Sequence, residues 1–240
     1  MSRSVLYIGP SGSGKTSSAK KLDYKTTFIF NALGKELPWR ASAKQYVTWN
    51  QETKEGNLVN TSSAQTIIKW LDYIDKNMPH IKDVVIDDNT YLTIMELQRR
   101  KNEGWEKYDH VVENFLALAA KSKSLRDDLV VHFLHHTETV GDGILEDKSY
   151  KAISFGKFTD EKLGGQETQW TIVLRAAKEK DGDKINYVFY TRDANSTAKA
   201  PFEMFASDKI PNDMALVRHT MDCFYNGDCE EDNVVVDIKK

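Results

Sequence analysis

The sequence predicts an α/β fold: a mainly parallel sheet with helices on both faces, extended by an antiparallel hairpin. Three observations carry this expectation. A short apolar run, Ser4 to Ile8, passes directly into a Gly-rich loop and then a helical segment reaching Leu22. Continuous apolar strands alternate with amphipathic helical stretches as far as His136. Beyond them, Lys180-Asp181-Gly182-Asp183 separates two β-rich runs as an Asp-Gly hairpin turn does.

Taken in order, Thr26 to Phe30, ending at Asn31 and the Gly34 region, reads as the next strand of the parallel sheet. Leu37 to Asn60 shows no clear period. After a Ser/Thr start at Thr61 to Ser63, the residues Ala64, Ile67, Ile68, Leu71 and Ile74 recur at helical spacing, and Pro79 closes the segment. Val84-Val85-Ile86 is a buried strand ending in Asp87-Asp88. Tyr108, Val111, Val112, Phe115, Leu118 and Ala119 mark a second amphipathic helix, and Leu129 to Leu134 a strand ending in His135-His136. From residue 139, glycines and lysines suggest loops. Gln169 to Ala177 and Ile185 to Thr191 form the hairpin, and Met214, Val217, Met221 and Phe224 a last helical stripe capped by Asn212. With no linker rich in Pro, Gly or Ser, residues 1–225 are expected as one domain and 226–240 as an acidic tail.

The 240 residues are enough to bury a core without disulfides or metals. A composition 40% hydrophobic and 29% charged excludes the disordered and low-complexity classes. The net charge of −3 gives no general positive field for nucleic acid or anionic lipid, so any such binding must be local. No apolar span is long enough to cross a bilayer, and the N-terminal stretch is too short for a signal peptide. The cytoplasm is the expected compartment. Cys223 and Cys229 are expected as two free thiols, since a zinc site there would lack half its ligands.

Chemistry concentrates at the first loop. Gly9-Pro10-Ser11-Gly12-Ser13-Gly14-Lys15-Thr16 matches G-x-x-x-x-G-K-[ST], a pattern that arises by accident in roughly one chain of this size in a hundred. Between a strand and a helix, such a loop lets backbone N–H groups, through Ser17, curl around a phosphate while the helix dipole adds attraction. Lys15 would reach the β- and γ-phosphates of ATP, and the Thr16 hydroxyl would ligate Mg²⁺. The metal also needs a carboxylate at the end of a strand adjacent to the first, and Asp87 fits. Asp88 would either orient or deprotonate the attacking water or cap the Asn89-Thr90 turn. Glu52, Glu55 and Glu138 are rival bases.

Adjacent histidines on a strand point to opposite faces, so one of His135 and His136 should look at the phosphate pocket as a γ-phosphate detector; an ordinary strand-end role competes. Lys148, Lys151, Lys157 and Lys162 alternate with Tyr150, Phe155 and Phe158, a mix suited to single-stranded nucleic acid. Interspersed acids make a solvated loop the competing reading. Arg192 and Lys199 follow the hairpin and could project into a neighbouring subunit's nucleotide.

GPSGSGKT, VVIDD, NEGWEKYDHV, LVVHFLHHTE and FEMFASDKIPND, taken together, resemble the phage AAA-type nucleotide-binding family, which has a RecA-like core and includes single-strand annealing recombinases of the Sak type. The resemblance spans roughly residues 3–225, with the phosphate loop and the Asp87 strand its specific motifs. It implies a RecA-like P-loop ATPase of phage recombination or replication, working in a host cytoplasm, binding single-stranded DNA and assembling into rings or filaments. Lys15 and Thr16 then match the Walker A lysine and hydroxyl, Asp87 the Walker B carboxylate and His136 the γ-phosphate sensor. Two departures stand out: no clear catalytic glutamate follows the second strand, and the proposed DNA loops are not net basic. The tail Asp228-Cys229-Glu230-Glu231-Asp232 resembles the acidic C-terminal ends of proteins that handle single strands, and such a tail could compete with DNA for a cationic loop or recruit a basic partner; a single-strand binding protein is a further expected partner. Two other functions remain open: a P-loop kinase with Arg99 and Arg100 clamping an acceptor phosphate, and a nucleotide-gated assembly protein that does not bind DNA.

Overall fold

The computed structural model describes residues 2–141, 148–154 and 164–227. The phosphate-loop strand β1 (Arg3–Gly9) is followed by a single piece of 3-10 helix, Thr16–Lys21, which stops where Leu22 turns extended. Next come β2 (Thr27–Asn31), the short α1 (Ser42–Gln45) and β3 (Leu58–Asn60), so the stretch that shows no sequence period holds two small elements. Helix α2 (Ala64–Asn77) starts at the expected Ser/Thr cluster, with Ser63 Oγ accepting from the Thr66 N–H. Then follow β4 (Asp83–Asp87), α3 (Thr90–Arg99), α4 (Glu106–Lys121), β5 (Val130–Val140) and β6 (Ser149–Ala152). The hairpin strands β7 (Ile172–Asp181) and β8 (Lys184–Tyr190), the short β9 (Lys209–Pro211) and α5 (Met214–Asn226) complete the order.

Among the described residues the strands lie in the order β3-β2-β4-β5-β1-β7-β8-β9. Neighbours from β3 to β7 are parallel, and β7-β8-β9 are antiparallel. This is the expected α/β architecture: a mainly parallel sheet flanked by helices and extended by an antiparallel hairpin. Alternate residues of each strand feed two cores. Leu6 and Ile8, Val84 and Ile86, and Val131 and Phe133 pack against α2 and α4. Val5 and Tyr7, Val85 and Leu134 pack against Ala19, Leu22 and the α5 residues Met214, Val217 and Met221. Strands buried on both sides read as unbroken apolar runs for this reason.

Four expectations are corrected. The Asp87 strand is not adjacent to β1, because β5 lies between them and pairs with both. The loop region expected from residue 139 is in part sheet, since β5 runs on to Val140 and pairs antiparallel with β6, Thr137 opposite Ala152. The cap of α5 is Asp213, whose Oδ1 accepts from the Ala215 and Leu216 N–H groups, and not Asn212; its carboxylate and single-residue offset place two acceptor contacts where the helix N–H groups are orphaned. Cys223 is disulfide-bonded, not a free thiol, and Cys229 lies outside the described residues. The acidic tail beyond Gly227 lies outside them as well. Among the described residues no helix is long and apolar enough to cross a membrane.

Candidate functional site

The C-terminal ends of β1, β4 and β5 meet at one rim, where open α/β folds carry their ligands. The loop from Gly9 to Thr16 closes tightly against the hairpin. A Cβ on Gly9 would lie 2.7 Å from the Ala176 carbonyl oxygen. Gly14 has φ +92°, and a Cβ there would lie 2.7 Å from the Tyr187 ring, so both its conformation and its surroundings require glycine. The Ser13 N–H donates to the Pro10 carbonyl at 3.3 Å, while the buried Ser13 hydroxyl has no protein partner.

Lys15 is 6% exposed, and its ammonium donates to the Gly9 carbonyl at 2.7 Å and the Pro10 carbonyl at 3.0 Å. Burial lowers its pKa to about 8, against the pull of Asp88 and Asp87. Thr16 Oγ1 donates to Asp87 Oδ1 at 2.9 Å, across the strand that separates β1 from β4. The Asp87 carboxyl also accepts the Asp88 N–H at 3.0 Å. Its pKa is raised to about 6, by burial first and by the neighbouring Asp88 charge second. A hydroxyl and a carboxylate side by side at the mouth of a Gly-rich loop are hard oxygen donors, the kind that hold Mg²⁺ together with phosphate oxygens. The unpartnered Ser13 hydroxyl and the inward Lys15 fit a phosphate in the loop. No cluster of three or more His, Cys, Asp or Glu suited to a metal is present among the described residues, and none is needed for a metal held largely by its ligand.

Asp88 does not cap α3; the cap position belongs to Asn89, whose side chain makes no capping bond. Asp88 has φ +55° and lines the cleft. His136 Nε2 lies 3.2 Å from its Oδ1 and Lys35 Nζ 3.3 Å from its Oδ2. Burial would raise its pKa, but His136 and Lys35 outweigh burial and hold it below the usual carboxylate range. The two histidines part as strand geometry requires. His136 faces the cleft, while His135 is fully buried on the other side, accepting from Asn89 Nδ2 at 3.0 Å and donating to the Ile153 carbonyl at 3.1 Å. Burial lowers the His135 pKa to about 3, so it stays neutral.

These groups line a cleft of about 520 Å³. It holds Ser11, Gly12, Gly14, Lys15, Thr16 and Ser17 from the loop and its helix, and Asp87, Asp88 and His136 from the rim. It also holds residues that sequence reading did not single out: Lys35 and Glu36 after β2, Tyr91 on α3 and Tyr187 on the hairpin. Lys178 joins them, its ammonium 3.2 Å from where a Gly12 Cβ would stand. The one sequence signal for Lys35 and Glu36 is the Asn31–Gly34 turn: Asn31 Oδ1 accepts the Gly34 N–H at 2.9 Å and folds the chain back over the rim. Nothing local marks Tyr187 or Lys178.

Other candidates are not brought together there. Glu52 and Glu55 are exposed in the turn before β3, and Glu138 pairs with Lys151 at 3.3 Å. Of the nucleic-acid candidates, Lys148 is exposed and Lys151 is ion-paired, whereas Lys157 and Lys162 lie outside the described residues. Arg192 is tied within its own chain to Asp208 at 3.2 Å and the Phe205 carbonyl at 3.3 Å. Lys199 has an exposed side chain on a backbone pinned by two hydrogen bonds to Val173. Arg99 and Arg100 are engaged by Glu96, Glu103 and Ser62, which leaves them poorly placed as phosphate clamps.

No family model matches the sequence, and no curated protein matches it. Among solved structures, a KaiC-like protein from the hyperthermophilic archaeon Pyrococcus horikoshii OT3 is similar, at 15% identity and a TM-score of 0.45, over 78% of this chain and 76% of that chain.

Proposed function

We propose that this chain is an ATP-binding, ATP-hydrolysing protein of the RecA-like P-loop type that acts on single-stranded DNA in phage recombination or replication, as a homo-oligomeric ring or filament. The observation that carries the ATP half is the meeting of Lys15, Thr16 and Asp87 at one cleft, with 2.9 Å between the hydroxyl and the carboxylate. The DNA half rests on the family resemblance.

Lys15 would supply positive charge to the phosphates from inside the loop, and Thr16 and Asp87 would hold Mg²⁺. Bound Mg²⁺ would neutralise charge on the transferring phosphoryl group. His136, opposite Gly9 on β5, lines the cleft to sense the terminal phosphate. Asp88, held as a carboxylate by His136 and Lys35, orients a water rather than storing its proton, so hydrolysis relies on positioning and charge compensation. Of the two cations after the hairpin, the exposed Lys199 suits a reach into a neighbouring subunit better than the anchored Arg192.

The test is ATP turnover with and without single-stranded DNA, on the intact chain and on Lys15→Ala. Turnover that DNA stimulates and that Lys15→Ala abolishes supports the reading. Turnover indifferent to DNA removes the DNA half, and no heat on titrating purine triphosphates with magnesium removes the whole.

A further inference from the structure

Away from the phosphate loop, at the β3 edge of the sheet, the chain builds a second pocket of about 380 Å³ from six residues: Trp49, Gln51, Lys54, Lys69, Trp70 and Tyr73. Trp49 precedes β3, and Lys69, Trp70 and Tyr73 lie on α2. The three rings meet edge to face, with centroids 5.1 Å apart for Trp49 and Trp70, 5.6 Å for Trp70 and Tyr73, and 6.0 Å for Trp49 and Tyr73. Trp70 also rests on Phe28 of β2 at 5.4 Å, so the rings are backed by the core. The turn that presents the other wall is fixed by Asn50, whose Oδ1 accepts the Glu52 N–H at 2.8 Å and the Thr53 N–H at 3.2 Å. Gly56 lets that turn close, since a Cβ there would meet the Val47 carbonyl, Trp49 Cα and Thr48 carbonyl at 2.8 Å each.

We propose that this pocket receives a base of single-stranded nucleic acid, with Lys54 and Lys69 on the flanking phosphates. An aromatic box alone would suit a quaternary or ammonium cation as well as a flat base. The lysines decide between them. Both are exposed and both line the pocket, whereas Glu52 and Glu55 of the same turn do not, so the charge that faces the pocket itself repels a cation and attracts an anion. A flat, sequence-tolerant π surface beside cations is what single-stranded nucleic acid requires. Lys151, by contrast, already spends its charge on Glu138.

This placement rests on the DNA half of the function proposed above, and the experiment separates the two. The intact chain and the double variant Lys54→Glu/Lys69→Glu are titrated with a fluorescent oligothymidylate over a range of salt, with intrinsic tryptophan emission followed in parallel. ATP binding is measured on both proteins by calorimetry. The lysines are exposed, so the variant is expected to fold and to bind ATP as the intact chain does. Expected are quenching of tryptophan emission by the oligonucleotide, at least a tenfold loss of affinity in the variant, and a salt slope smaller by roughly two. Trp49→Phe keeps the packing and should retain binding with part of the quenching removed. Oligonucleotide binding with unchanged affinity and slope in the variant overturns the placement alone. No oligonucleotide binding by the intact chain overturns both this placement and the DNA half of the function. Self-association that the variant abolishes, without oligonucleotide binding, shows the pocket to be a contact between copies and overturns the placement too.

Discussion

An aspartate–histidine–cation cluster stands at each end of β4, and the two clusters have opposite fates. At the start of β4, Asp83 is bonded by His132 Nε2 at 2.9 Å and by Arg218 at 3.1 Å, and His132 Nδ1 meets the Tyr7 hydroxyl at 3.0 Å. At the other end, Asp88 meets His136 and Lys35. Both are an aspartate, a histidine and a cation. The first is sealed: His132 is 0% exposed, and Arg218 spends its remaining donors on the Lys82 and Asp128 carbonyls and on Asp222. The second opens into the cleft, and its cation, Lys35, has a side chain 65% exposed. Every polar atom of the closed cluster serves the fold, whereas the open cluster keeps a cation and a histidine free to change partners when a ligand arrives.

The comparison can be broken at either end. The largest expected effect is Arg218→Met, which leaves the Asp83 carboxylate buried beside His132 without its cation and should cost about 3–5 kcal/mol of stability, read from urea unfolding, while the folded fraction binds ATP normally. Lys15→Ala should do the reverse, lowering ATP turnover by about 10²-fold or more with an unchanged unfolding midpoint. A smaller effect is pH-dependent. As pH falls from about 6 toward 4, the unfolded chain takes up a proton that buried His135, its pKa near 3, refuses; this group therefore loses about 1.4 kcal/mol of stability per pH unit. Asp87 works in the opposite sense over the same range, because with a pKa near 6 the folded chain takes up its proton first. Because Asp87 is common to both proteins, the stability of the intact chain relative to His135→Gln isolates the histidine, and that difference should fall by about 1.4 kcal/mol per pH unit from about pH 6 toward 4. The smallest change is Lys35→Ala: an exposed ion pair contributes about 0–1 kcal/mol, so stability should hardly move, and any effect should show in turnover.

Much of the site was legible from local sequence. The phosphate loop is a continuous segment, and its glycines, lysine and threonine have fixed spacing, so Lys15 and Thr16 could be placed before any contact was known. Asp87 could be placed because an apolar strand ends there. Lys35, Tyr187 and Lys178 could not, because each reaches the rim through a turn or hairpin whose docking depends on residues far away in the chain. The cap of α5 shows a finer limit: Asn212 and Asp213 are both good capping residues, and only the register of the first turn chose between them. The Trp49 pocket was hidden because the segment before β3 has no period to read.

The sequence by itself determined the phosphate loop, the apolar strands and the hairpin turn, since each is written in neighbouring residues through backbone preference and hydrophobic pattern. Tertiary structure alone decided that β5 enters between β1 and β4, setting His136 between the loop and the Asp87 strand, and which of two Asp-His-cation clusters would be sealed. Strand order and burial are set by pairing among segments tens of residues apart, and that energy appears only when the whole sheet has assembled.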